Sequence, residues 1–490
     1  MRILVLLIIC CSVASCSSLP EPIPKSTPEQ TQFYSRSLQA CVDELTHFKR
    51  TVQQQGVQDA QLLWLPQYPH LAFDRFSLSL IPELNSYRAR TQWINYVTRQ
   101  AAIQRKVEYQ NLPDKSAVEF KNQKYCTSML TRATLNDESF WHWLQQTPPE
   151  YPSDYQNWQR VVGLYPISTL FAEPSIHSEK KRIIGGFVEP LHDYSVVYTV
   201  SDKPELTATD MQSWFIQARE KSALEWPQLT DEQLTSLMDF HAPEFVIESV
   251  SLDDKPGEVE YRQSDQPTVN IQKPTLYVSS SYTRFHGKTL LQLNYSLWFP
   301  NRTAKSALDP YAGKFDGILV RLTLDSHGQP YILDSIHHCG CYHMVFALDP
   351  QLRFAARNPD IEAPITLQVP PNRNANTLNI TLSNGEHMIK GVRWAESTNR
   401  IRHLAVLDYQ QLRSLSIQDG GNKSLFDQQG MLTASERLER FYLWPFGVKS
   451  PGAMRQIGHH ATAFIGERHF DDAFMLEALF QAPPPKFLTN

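Results

Sequence analysis

The sequence predicts an α+β protein: a helical N-terminal region, a mostly antiparallel β-sheet region and a helical C-terminal segment. Three observations carry this. Apolar residues recur at three- and four-residue steps early in the chain, the period drops to two from about residue 270, and a helix-start signal returns near residue 433. The regions are placed at 31–240, 241–410 and 411–490.

In the first region Leu38, Cys41, Val42, Leu45, Phe48 and Val52 share one helix face, and Gly56 ends the run. A second helix is predicted around Val118, Tyr125, Cys126, Met129 and Leu130. Thr209–Gln212 and Thr230–Gln233 each read as a capping box, in which the threonine oxygen and the later side chain satisfy free helix-start amides. Tyr194–Val200 reads as a strand interrupting this region. Further on, Thr275–Phe285 and Thr289–Phe299 form a predicted strand pair, and Leu291, Leu293, Tyr295, Leu297 and Phe299 alternate as in a half-buried strand. Ile318–Leu324 and Tyr331–His338 flank the turn Asp325–Gly328. Thr377–Ser383 and Met388–Trp394 flank Asn384-Gly385, a favoured hairpin turn. The tail is expected to be helical from a third capping box, Thr433–Glu436, and over Phe470–Phe480.

The chain has 490 residues, 41% hydrophobic and 11% aromatic, the composition of a folded protein long enough for two or three domains. Its net charge of −5 argues against nucleic acid and against a polybasic membrane surface. No second stretch approaches the roughly 20 apolar residues of a membrane helix.

At the N-terminus, Met1-Arg2 precede an apolar run, Ile3–Cys11, and then Ser12-Val13-Ala14-Ser15-Cys16. One positive charge, a short apolar core and small residues describe a signal peptide over residues 1–15. Val13-Ala14-Ser15-Cys16 resembles the lipobox of bacterial lipoproteins. That resemblance covers residues 1–17 only, and no family is recognised for the mature domain. It implies that Cys16 is fatty-acylated and becomes the mature N-terminus. Ser17, rather than Asp, at the next position resembles the outer-membrane sorting class, so the implied location is the outer membrane, facing the periplasm. Residues 16–30, with Pro20, Pro22, Pro24 and Pro28, read as a semi-rigid tether. An oxidising envelope permits disulfides. With Cys10 and Cys11 lost and Cys16 acylated, Cys41, Cys126, Cys339 and Cys341 remain, and Cys41–Cys126 is the preferred bridge among three possible pairings.

The densest set of reactive side chains is His337-His338-Cys339-Gly340-Cys341-Tyr342-His343. On a strand, His337, Cys339, Cys341 and His343 would share one face, and these ligand types suit zinc or copper. A straight strand spreads them over about 20 Å, so a metal site requires either a sharp bend at Gly340 or ligands from elsewhere, with His459 and His460 as candidates and His469 close behind them in sequence. Two other chemistries fit the same residues: a Cys339/Cys341 dithiol cycling with a strained bridge, or a cysteine nucleophile activated by histidine. Packed or disulfide-bonded cysteines beside hydrogen-bonded histidines fit as well. Asp309, Asp316, Asp325 and Asp334 are possible acids or supporting partners, and Arg321 is expected to pair with one of them. The functional expectation is therefore an anchored, periplasm-facing lipoprotein holding zinc or copper. The alternatives are a non-catalytic envelope binding or assembly protein with an unspecified protein partner, and a thiol-dependent enzyme.

Overall fold

The computed structural model describes residues 35–482, apart from 117, 119, 189–191, 193, 263–265, 373, 374, 376, 396–399 and 419. Residues 1–15, Cys16 and the tether at 16–30 lie outside the described residues.

The protein is α+β. Helix α1 (Arg36–Gln54) is capped by Ser35, whose side chain accepts from the Leu38 amide, and it buries Cys41, Val42, Leu45, Phe48 and Val52 along one face. With α2 (Tyr87–Asn111), α3 (Gln123–Leu135) and α4 (Glu138–Gln146) it makes the N-terminal helical region. Trp93, Trp141, Phe140 and Trp226 anchor a separate aromatic core there. A disulfide joins Cys41 of α1 to Cys126 of α3. Helix α5 (Tyr165–Gly185) follows, then α6 (Ala208–Lys221) and α7 (Asp231–His241).

The capping box of α7 falls at Thr230 and Gln233 as the sequence indicates. That of α6 lies two residues earlier than expected, at Thr207 and Asp210. Asp210 is three residues after Thr207 and its carboxylate reaches back to the Thr207 amide at 3.1 Å, which leaves Thr209 inside the first turn.

Eleven strands form one sheet. In chain order they are β1 (Ser195–Val200), β2 (Glu244–Glu248), β3 (Thr275–Phe285), β4 (Lys288–Arg302), β5 (Gly313–Leu324), β6 (Pro330–His337), β7 (Met344–Ala347), β8 (Ile365–Gln368), β9 (Leu378–Leu382), β10 (Ile389–Trp394) and β11 (Ile401–Asp408). Their spatial order is β8-β7-β6-β5-β4-β3-β11-β1-β2-β9-β10. The run β3 to β7 is an antiparallel meander. β11 then lies parallel to both β3 and β1, β9 parallel to β2, and β8 parallel to β7. The sheet is thus mixed, and β1, from within the helical stretch, is one of its central strands.

Strand β4 is buried on both faces rather than half-buried. Leu291, Leu293, Tyr295, Leu297 and Phe299 enter the core shared with Met211, Phe215, Leu237 and Met238 of α6 and α7. The alternate residues Gln292, Asn294 and Ser296 are also buried, because the C-terminal segment packs over the opposite face; there Trp298 meets Tyr409, Phe426 and Met454. Buried polar groups need partners, and Gln292 donates to Thr323 while Asn294 donates to Ser281, each at 3.1 Å.

The C-terminal segment is less helical than expected. Thr433–Ser435 is a single 3₁₀ turn with no side-chain cap, and the hydroxyl of Thr433, the expected cap, donates instead to Asp427 at 3.4 Å. Only Met475–Leu479 of the expected 470–480 helix forms. Just before it, Ala473 O accepts from the Arg284 amide and the Thr283 hydroxyl, so this backbone is spent on binding the sheet.

Candidate functional site

The 337–343 segment is the corner between β6 and β7, not a straight strand. Strand β6 ends at His337, and Ser335 is already paired with Met344. The His337 N–H donates to Cys341 O at 3.0 Å and the Gly340 N–H to His337 O at 2.7 Å. The bend is made by left-handed backbone at Gly340 (φ 89°) and again at Tyr342 (φ 59°). A Cβ at position 340 would lie 2.3 Å from Ala461 O, so only glycine satisfies both the φ and the approach of the C-terminal segment. The expected single face carrying His337, Cys339, Cys341 and His343 therefore does not exist: the chain reverses within it.

The six expected metal ligands find separate neighbours. His337 Nδ1 stands 3.6 Å from Asp316, and neither ring nitrogen has a hydrogen-bond partner. His343 Nε2 is 3.8 Å from Asp334, which Arg321 clamps from β5; the expected pairing of Arg321 with a nearby aspartate is this one. The C-terminal segment does fold over the corner, but His459 and His469 turn to Asp154. His459 Nδ1 bonds Asp154 at 3.0 Å and its Nε2 bonds Ala60 O at 2.7 Å. His460 packs against Phe470, its Nε2 unpartnered. His469 Nε2 accepts from the Asp154 amide at 3.1 Å. Burial holds the His338 pKa down to about 3, and that ring stacks on Trp298 and bonds Ser296. Among the described residues no group of three or more His, Cys, Asp or Glu side chains could hold a metal ion.

What the corner does bring together is its two thiols. Cys339 and Cys341 are both free; Cys339 is buried and Cys341 half-buried. The hydrogen bond from Cys341 pulls the Cys339 thiol below its ordinary range despite burial, with help from His337 and Arg437. The same bond, and burial, push the Cys341 thiol up. The two shifts run in opposite directions, Cys339 toward the thiolate and Cys341 toward the thiol.

Both cysteines line a cavity of about 210 Å³, with α5 as one wall and Phe446, Val448 and Phe464 among its apolar lining. Glu439 also lines it. Burial, then the Cys339 thiolate, push the Glu439 carboxyl up to about 8, against the pull of Arg437 and Arg302. A carboxyl that stays protonated near neutrality beside a thiolate can give and take a proton.

Behind the corner lies a buried chain of charges. Asp316 accepts from His387 Nδ1 at 2.8 Å and meets Arg437 at 3.3 Å. His387 Nε2 in turn stands 3.7 Å from Asp254. Burial alone would raise the Asp316 pKa, but His337, His387 and Arg437 hold it well below the carboxylate range. Asp316 was legible as a possible partner. Glu439, Arg437 and His387 were not, because each lies some fifty to a hundred residues from the corner along the chain and in no local motif; the one local hint is the hairpin turn Asn384-Gly385 beside His387. Asp309 and Asp325 instead bind backbone amides of their own turns.

Comparison of the chain with known protein families, with curated proteins and with solved structures finds no match.

Proposed function

We propose that this chain is a lipid-anchored protein of the bacterial envelope, facing the periplasm from the outer membrane, whose Cys339-Gly340-Cys341 corner works as a redox-active dithiol. The anchored location rests on the lipobox-like Val13–Cys16 and the proline-rich tether. The observation that carries the chemistry is the pair of free thiols, one residue apart on a bend, at the wall of a cavity that Glu439 also lines. Zinc or copper is the weaker reading, since His337 faces Asp316, His343 faces Asp334 and His459 faces Asp154.

The reaction is thiol–disulfide exchange with a disulfide-bearing polypeptide. The proton moves between the two sulfurs, so the thiolate can appear on either. That thiolate attacks one sulfur of the substrate disulfide, forming a mixed disulfide and releasing the first substrate thiolate, which takes the Glu439 proton. The second cysteine passes its proton to the Glu439 carboxylate, attacks the mixed disulfide as the thiolate and releases the other substrate thiolate, which takes that proton. The substrate gains two electrons, and residues 339 and 341 become bridged. A second envelope dithiol returns the electrons, or, run in reverse, the bridge is donated to a substrate. A bridge across one intervening residue closes a very small ring, and strained bridges are readily reduced.

Thiol-alkylation mass mapping across a glutathione redox series tests this. Expected is interconversion of the free and bridged 339–341 forms, differing by two hydrogens, with Cys41–Cys126 unchanged, and a trapped mixed disulfide when one of Cys339→Ser or Cys341→Ser is mixed with an envelope extract. Cysteines at 339 and 341 that neither alkylate nor bridge in the native protein would defeat it. Intact mass of the mature chain reads the anchor separately.

A further inference from the structure

Helix α5 has two apolar sides. Ala172, Ile176 and Ile183 face the cavity. The other side, with the short helix Asn157–Val162 before it, is bare: Val161, Leu170 and Phe171 are 75, 70 and 79% exposed. These segments pack on the turn Trp444–Phe446. Arg160 Nε donates to Phe446 O at 2.9 Å, Gly163 lies against Pro445, and Tyr165 meets Phe446 ring to ring. The chain leading into that turn carries exposed Phe441 and Tyr442. Between the two helices Leu164, itself exposed, is held in left-handed backbone (φ 49°). A leucine adopts that conformation only when the surroundings impose it, and such residues concentrate at sites with a task. From Val161 to Ala172 there is no charged residue.

We propose that this exposed face docks on a phospholipid bilayer, with Leu164, Leu170 and Phe171 sunk below the headgroups and the aromatic side chains at the interface. Exposed aliphatic residues together with exposed Trp158, Phe441 and Tyr442 are the chemistry of an interfacial anchor. Over the twelve residues from Val161 to Ala172 no charged side chain has to be drawn below the headgroups. The anchor belonging to the proposed location supplies the bilayer: residues 17–34 span at most about 60 Å when extended, so the tether holds the body within reach of the membrane. Docking there sets α5 between the lipid and the cavity that Cys339 and Cys341 line. The inference uses the anchored location but not the dithiol chemistry.

The test places the photo-crosslinking residue p-benzoylphenylalanine at Phe171, and separately at exposed Glu205, in the mature full chain reconstituted on vesicles of phosphatidylethanolamine and phosphatidylglycerol (about 3:1). Expected is a lipid adduct at least about tenfold more abundant at 171 than at 205, falling at least about fivefold in Leu170→Glu. Equal lipid adducts at the two positions would overturn the proposal, as would adducts at 171 to a second copy of the chain or, in whole cells, mainly to another protein. Cysteine mapping fails or succeeds independently of this readout, and a chain with unmodified Cys16 that still crosslinks to lipid would remove the anchor and leave the docking.

Discussion

A side chain at position 340 would have to share space with the Ala461 carbonyl while its backbone holds a φ of 89°. Gly340→Ala is therefore expected to lower unfolding free energy by about 1–3 kcal/mol, read by chemical denaturation, and to separate the two thiols so that Cys339 alkylates with the pH dependence of an ordinary cysteine. Glu439 makes the second prediction at this level. Its folded pKa, about 8, lies above the ordinary 4.5. The stability it lends is thus complete below about 4.5 and is lost as the pH rises through about 8, where the carboxylate must be buried beside the Cys339 thiolate. Thermal unfolding is expected to show a fall in Tm between about pH 4.5 and 8 that Glu439→Gln abolishes, and the inflection near pH 8 in the alkylation rate of the pair should vanish in the same variant. An unchanged profile in that variant would remove Glu439 from the proton path.

Helices α1 and α3 are joined by a disulfide that closes a separation of 85 residues. Cross-linking so long a stretch restricts the unfolded chain, and its loss typically costs about 2–4 kcal/mol. Reduction, or Cys41→Ala, is expected to destabilise the protein by that amount in denaturant titration while leaving exchange at 339–341 in place, which separates the structural bridge from the proposed reactive pair. Among the strands, the hairpins β3–β4, β5–β6 and β9–β10 were legible because each joins neighbours in sequence through a turn with its own residue signal: His286-Gly287, Asp325–Gly328 and Asn384-Gly385. The insertion of β11 between β3 and β1 had no such signal. Nor did the double burial of β4, since a Gln-Asn-Ser face reads as solvent-facing until the C-terminal segment is known to cover it.

The N-terminal helices, the sheet and the C-terminal segment are tied by buried polar pairs that are distant in sequence. Arg413 grips Asp59 through two bonds of 3.0 and 2.8 Å, and Gln456 adds a third at 2.9 Å. Burial alone would raise the Asp59 pKa, but Arg413 and Gln456 lower it below the ordinary value of 3.8. Its contribution is present above pH 3.8 and is lost as the pH falls through the lowered value, so this junction belongs to the acid-sensitive parts of the molecule. Arg413→Ala leaves the buried carboxylate unpaired and is expected to cost roughly 3–5 kcal/mol, measured as a shift in the urea midpoint; a shift below 1 kcal/mol would mean that the pair does not hold the regions together. His459, whose pKa is raised against burial by Asp154 and Ala60, has the opposite sign: its support is present at low pH and is lost as the pH rises through its folded value.

From its residues alone the chain declared its class, its N-terminal helix faces, its hairpins, and the two cysteines and one glycine that matter at 339–341. These depend on side-chain periods and turn geometries that near neighbours impose, so they are written locally. The partners of the histidines were decided by the folded molecule: His459 meets Asp154 across 305 residues and His387 meets Asp316 across 71. Contacts of that span are selected by how whole elements pack, and packing set the two thiols on a bend beside Glu439, with Asp316, His387 and Arg437 buried behind them.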